Sequence, residues 1–126
     1  MDLSYYIEGG FVDNFLYGKD KDNNLYFHFE GNKLKKFEDN LSLRVKLEDE
    51  FYSFEVKKGK ISKSILGIDF QIAYDSSIEL KINNYKNEKF DFLFELFEDD
   101  KKIQRFPLYD TIKLDVESPL LSNWFV

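Results

Sequence analysis

Apolar and polar positions alternate with a period of two along most of this chain. In Leu41-Ser-Leu-Arg-Val-Lys-Leu-Glu48 every odd residue is aliphatic and every even one polar, the pattern of a strand with one face on a core and one in water. Leu25, Phe27 and Phe29 likewise share one face of Leu25–Glu30, with Tyr26, His28 and Glu30 on the other. Tyr52, Phe54 and Val56 repeat the pattern, as do Ile78, Leu80 and Ile82 around Glu79 and Lys81. Phe90–Glu98 differs, because Phe90, Phe92, Phe94 and Leu96 lie on one side while Leu93 and Phe97 lie on the other. A strand apolar on both faces is predicted to be central in its sheet.

Turn-forming residues punctuate these segments. Tyr5–Ile7 and Phe11–Tyr17 read as short strands separated by Gly9-Gly10, and Gly18–Asn24 is a polar turn whose Asp and Asn side chains bond nearby backbone. Lys33–Asn40 is a charged connection with room for a helical turn around Leu34 and Phe37. Lys57-Lys-Gly-Lys60 is predicted to be a hairpin turn into Ile61–Ser64. Ile65–Tyr74 lacks clean alternation and reads either as a buried strand or as a crossing between sheets. Asn83-Asn84 ends a strand, Tyr85–Lys89 has room for one helical turn, and Asp99-Asp100 turns the chain into Lys101–Phe106. Pro107, with no amide hydrogen, is expected to stop that ladder before Thr111–Val116 resumes with Ile112, Leu114 and Val116 inward. Gln104–Val126, which holds both prolines and the only tryptophan, reads as the closing edge. About eight to ten strands with turns every eight to twelve residues predict an all-β fold, an antiparallel β-sandwich.

Composition narrows the picture. A chain of 126 residues corresponds to a single domain, and the absence of cysteine excludes disulfides, thiolate metal sites and cysteine nucleophiles. The net charge of −6 disfavours nucleic acid as a partner. Charge is uneven: Asn32–Lys63 carries nine basic and six acidic residues, an alternation that suits a solvated sheet face. The first twenty residues contain Asp2, Glu8 and Asp13 and no continuous apolar run, and no segment is long enough to span a bilayer. A soluble, cytoplasmic protein or a piece of a larger one is expected, with no membrane partner.

Candidate chemistry is sparse. His28 is the sole histidine and sits on the more polar face of its strand, where a sheet-surface imidazole is the simplest reading, so His-based triads and zinc sites are not expected. Carboxylates cluster in turns, where solvation accounts for them. Asp20, Asp22 and Asn24 supply closely spaced oxygen ligands conceivable for calcium, although the twelve-residue, helix-flanked calcium loop is absent. No cofactor is expected. Aromatic rings stack on the apolar faces of sugars, which makes Tyr17, Tyr26, Tyr74, Tyr109 and Trp124 a candidate carbohydrate platform, with His28 as a polar neighbour.

Two segments carry a family resemblance. Phe15–Glu30 (FLYGKDKDNNLYFHFE) resembles a hairpin near the start of the C-terminal β-sandwich of family 57 glycoside hydrolases, the amylase and amylopullulanase-like enzymes. Gln104–Val116 (QRFPLYDTIKLDV) with Asn123-Trp-Phe-Val126 resembles that domain's closing pattern, and Ser77–Ile82 resembles one of its strands. Tyr109-Asp110 stands where that domain has a turn glycine, and His28 where arginine is common. Such sandwiches are similar to family 9 carbohydrate-binding modules and DOMON domains, which bind sugars or haem. Met1 is the only methionine, which disfavours haem. The resemblance implies a non-catalytic accessory module, with an α-glucan and a catalytic glycoside hydrolase domain as partners. The alternative is a structural sandwich that stabilises its catalytic partner without touching sugar.

Overall fold

The computed structural model describes residues 3–6, 11–35, 40–86 and 89–111. Among them are the strands β1 (Leu3–Tyr6), β2 (Asn14–Lys19), β3 (Leu25–Glu30), β4 (Leu41–Leu47), β5 (Glu50–Val56), β6 (Gly59–Ile65), β7 (Ile68–Tyr74), β8 (Ile78–Ile82), β9 (Lys89–Glu98) and β10 (Lys101–Thr111), with one helical turn, α1 (Asn32–Lys35). They form a six-stranded sheet in the order β1-β2-β3-β8-β7-β6 and a four-stranded sheet in the order β10-β9-β4-β5, with every pairing antiparallel. This is the predicted all-β sandwich.

The period-two pattern decides which side chains meet between the sheets. Leu41, Leu43, Val45 and Leu47 of β4 are buried while Ser42, Arg44 and Lys46 point the other way and stay half-buried. Phe92, Phe94 and Leu96 of β9 are buried against Phe15, Phe27 and Phe29 of the opposite sheet. At the other flank Tyr52 and Phe54 of β5 pack on Phe70 of β7, with ring centroids 4.9 and 5.1 Å apart. Each fully buried ring contributes about 1.5–3 kcal/mol of transfer free energy, so this inter-sheet layer is the main term favouring the fold. β9 is central, between β10 and β4, as its two apolar faces predict.

Several local expectations are corrected. Lys57–Lys60 makes no hairpin: β5 pairs with β4 and β6 with β7, so the segment crosses from one sheet to the other. A glycine and flexible polar residues suit a crossing as well as a turn, and local sequence does not separate the two. Within Ile65–Tyr74, Leu66 and Gly67 both have positive φ, 52° and 78°, and close a two-residue β6–β7 hairpin. Pro107 does not end the ladder, since β10 runs through it with Pro107 opposite Leu93. Among the described strands β10 lies at the edge of its sheet, and an edge tolerates a missing amide hydrogen because only one side of such a strand is paired. The second strand begins at Asn14, not Phe11. Tyr85 and Lys86 are irregular, while Ile112, Leu114, Val116 and Trp124 lie outside the described residues.

A register shift between Lys102 and Gln104 bulges β10 and re-aims Gln104. Its amide accepts from Val12 N–H at 2.8 Å and donates to Val12 C=O at 2.6 Å. One side chain thereby mimics a strand partner and ties the segment leading into β2 to the edge of the other sheet.

Candidate functional site

On the outer face of the four-stranded sheet, register sets the residues of four strands side by side. Arg44 of β4 lies opposite Glu95 of β9 and Ser53 of β5, and Lys46 lies opposite Leu93 and Phe51. Lys102 of β10 lies opposite Phe97. Glu95 is buried although it points away from the core. Arg44 donates through Nε at 2.8 Å and through Nη2 at 2.6 Å to Oε1, and Lys102 Nζ sits 2.5 Å from Oε2. Burial pushes the Glu95 carboxyl up, but the hydrogen bonds from Lys102 and Arg44 and their charges outweigh it and hold the group below its ordinary value.

The Arg44 guanidinium is also held between two rings, 4.8 Å from the Phe51 centroid and 5.0 Å from that of Phe97. Lys46 approaches Phe51 and Lys102 approaches Phe97 at about the same reach, 5.9 and 6.0 Å. Cation–π contacts of this kind are worth about 0.5–1 kcal/mol at exposed sites and more when water is excluded. Phe51 remains 51% exposed. The face is therefore apolar and cationic at once, and ordered from beneath by a buried carboxylate. Aromatic and arginine side chains in this combination are those enriched where proteins meet proteins.

The outer face of the six-stranded sheet carries a different cluster. His28 Nδ1 bonds Glu79 Oε2, Ser77 Oγ donates to Glu79 Oε1 at 3.2 Å, and His28 Nε2 lies 3.6 Å from Glu30 Oε2. Burial disfavours the imidazolium, but the bond to Glu79 and the charges of Glu79 and Glu30 outweigh it and raise His28 above its ordinary value. Burial likewise raises Glu79 against the opposing bonds from His28 and Ser77. Ser77 bonds the carboxylate rather than the imidazole, so these three side chains do not assemble the hydroxyl-to-base contact that nucleophilic catalysis requires. The expected surface imidazole is thus corrected: His28 is on the outer face, yet buried against a carboxylate.

The predicted carbohydrate platform is not assembled by the described side chains. Tyr17 is 1% exposed, Tyr26 6%, His28 3% and Tyr74 6%. Tyr17 packs between Phe15 and Phe27 in the core. Tyr26 spends its hydroxyl on Asp20 at 3.0 Å, and Tyr74 donates to the Leu34 carbonyl at 2.5 Å, pinning α1 to β7. The Tyr109 backbone lies in β10 opposite Asp91, and Trp124 lies outside the described residues. Tyr17 shares the inward face of β2 with Phe15, and Tyr74 shares that of β7 with Phe70 and Ile72.

Oxygens of the calcium candidate take part in hydrogen bonds of the turn itself. Asp20 Oδ1 accepts the amides of Asp22 and Asn24, and Oδ2 accepts from Asn24 Nδ2 and Tyr26 Oη. Asn24 Oδ1 accepts the Asn84 amide. These oxygens hold the turn together, and no group of three or more His, Asp or Glu side chains placed to hold a metal ion occurs among the described residues.

Comparison with known protein families, with curated proteins and with solved structures finds no match. Among the described residues, open depressions lie at the ends of the sandwich. One, of about 820 Å³, is lined by side chains of both signs, among them Glu55, Lys57, Lys58, Asp99 and Asp100. The other, of about 380 Å³, brings together Tyr52, Tyr85, Glu48, Glu50, Asp69 and Asn84. The aromatic–cationic face was only partly legible in sequence: Phe97 and Leu93 were apolar on the wrong side of β9, but pairing with Arg44 and Phe51 depends on register.

Proposed function

We propose that the chain is a non-catalytic β-sandwich module that docks onto the catalytic domain of an α-glucan-active glycoside hydrolase and stabilises it by protein contact. The observation that carries the docking is the ordered outer face of the four-stranded sheet, where Phe51 and Phe97 flank an Arg44 fixed by Glu95. The identity of the partner rests on the resemblance of Phe15–Glu30 and of the closing segment to family 57 accessory sandwiches. Burial of Tyr17, Tyr26, His28 and Tyr74 favours this reading over a sugar platform built from them.

The test combines the chain with a family 57 catalytic barrel from the same source and follows thermal inactivation of the barrel and its KM for maltooligosaccharide. A lengthened half-life with unchanged KM is expected, and Phe51→Asp should abolish the effect. An unchanged half-life refutes the docking.

A second reading has one observation in its favour. The smaller end depression juxtaposes tyrosines, carboxylates and an amide, the groups that hold sugar hydroxyls. In that reading an α-glucan chain end sits there, KM falls when the module is added, and Glu50→Ala reverses the fall.

A further inference from the structure

Between Glu55 and Asp69 the chain has no acidic residue and four lysines, Lys57, Lys58, Lys60 and Lys63. With a net charge of −6 for the whole chain, everything outside this run carries −10 by difference. The run includes β6, which ends the six-stranded sheet and pairs only with β7 among the described strands. Six of its seven residues are exposed and the last is half-buried.

The hairpin geometry identifies which backbone groups face the open edge. Ile65 and Ile68 flank the two-residue turn, and in such a hairpin the flanking pair exchanges both hydrogen bonds. Ile65, Lys63 and Ile61 therefore turn their backbone groups toward β7, while Ser64 and Ser62 turn theirs outward. Ile61, 42% exposed, and Leu66, 70% exposed, add apolar surface beside that edge. Lys63 leans toward the neighbouring β5 edge, with Nζ 3.2 Å from the Ser53 carbonyl and 5.8 Å from the Phe54 ring centroid.

Lysines on an edge strand, one of them pointing inward, deter pairing with an identical edge. The same lysines attract an edge of opposite charge, and open backbone groups bind an extended peptide by strand addition. We propose that β6 is a strand-addition site for an extended acidic segment of another protein. Its backbone pairs with Ser62 and Ser64, its carboxylates face Lys57, Lys58 and Lys60, and its intervening apolar residues cover Ile61. A nucleic acid offers no strand ladder and is repelled by the remaining charge of −10.

The probe is a labelled twelve-residue peptide alternating Glu and Val, titrated into the full chain and read by fluorescence anisotropy and by amide hydrogen exchange. Binding that protects the Ser62 and Ser64 amides is expected, and K57E/K58E/K60E should weaken it about tenfold or more. Ser62→Pro removes an outward amide without breaking the β7 ladder and should also weaken binding about tenfold. The same peptide N-methylated at alternate residues must bind as weakly to the unaltered protein, which keeps the test decisive where Ser62→Pro disturbs folding. The proposal is overturned by equal binding of the N-methylated peptide, by equal binding of an oligonucleotide of matched charge, or by dimerisation of the chain through β6. Failure here leaves the barrel-stability test untouched, since the docking face lies on the other sheet.

Discussion

Phe94→Ala is the perturbation that most directly loads the inter-sheet core. Phe94 is fully buried, and its ring centroid lies 5.0 Å from Phe27, 5.1 Å from Phe29, 5.8 Å from Phe92 and 6.2 Å from Phe15. Three of those four rings belong to the opposite sheet. Truncating a buried Phe to Ala costs about 3–5 kcal/mol, and the two edge-on contacts with Phe27 and Phe29 add about 0.5–1.5 kcal/mol each in isolated pairs. Because such terms overlap, the expected loss is about 4–5 kcal/mol, at the upper end of the truncation range. A chain of this size has a total stability of about 6–19 kcal/mol, so the variant should unfold at a much lower urea concentration. Phe51→Ala, at a half-exposed position on the outer face, should cost about 1 kcal/mol or less. The assay is urea unfolding followed by far-UV circular dichroism, with the m-value as a check that both variants unfold the same structure. A Phe94→Ala loss below about 1.5 kcal/mol, or one equal to that of Phe51→Ala, would refute an aromatic layer between two sheets.

Gly31→Ala should be among the most damaging single changes, because the added Cβ would stand 1.7 Å from the Phe11 carbonyl oxygen; a loss of more than about 3 kcal/mol in the same unfolding assay is expected. Gln104→Ala removes both bonds to Val12 and should cost about 1–3 kcal/mol, with faster hydrogen exchange at the Val12 amide as its local signature. Stability should also depend on pH at both ends. Four hydrogen bonds outweigh burial and hold Asp20 below its ordinary 3.8, and Glu95 is likewise held below its ordinary 4.5. Their contributions are complete above those values and are lost as pH falls through the folded ones. His28 is raised, so its contribution is complete below 6.5 and is lost as pH rises through its folded value. Glu79 is raised too and acts in the same direction. Urea midpoints measured across pH should decline on the alkaline side for the parent protein and flatten there in the His28→Gln, Glu79→Gln double variant.

Much of the fold was legible because β-strand periodicity is strict wherever one face is buried. Leu41–Leu47, Tyr52–Val56 and Ile78–Ile82 took the faces their alternation assigned, and the two-sided apolar pattern of Phe90–Glu98 marked the central strand. Connectivity was less legible. A polar, glycine-containing link such as Lys57–Lys60 reads the same whether it returns along its own sheet or crosses to the other. Pairing register also lies beyond local pattern, and it alone unites His28 with Glu79 across 51 positions and Arg44 with Glu95 across another 51. Aromatic side chains told least about a site, because the same residue types build the core and stack on ligands.

The distinction between a protein-docking module and a sugar-binding one is open to a single measurement, native electrophoresis of the chain through gels with and without amylopectin. A protein-docking module should run with equal mobility in both gels, relative to a non-binding standard. Retardation in the amylopectin gel that Glu50→Ala abolishes would contradict it and transfer the function to the end depression beside Tyr52 and Tyr85.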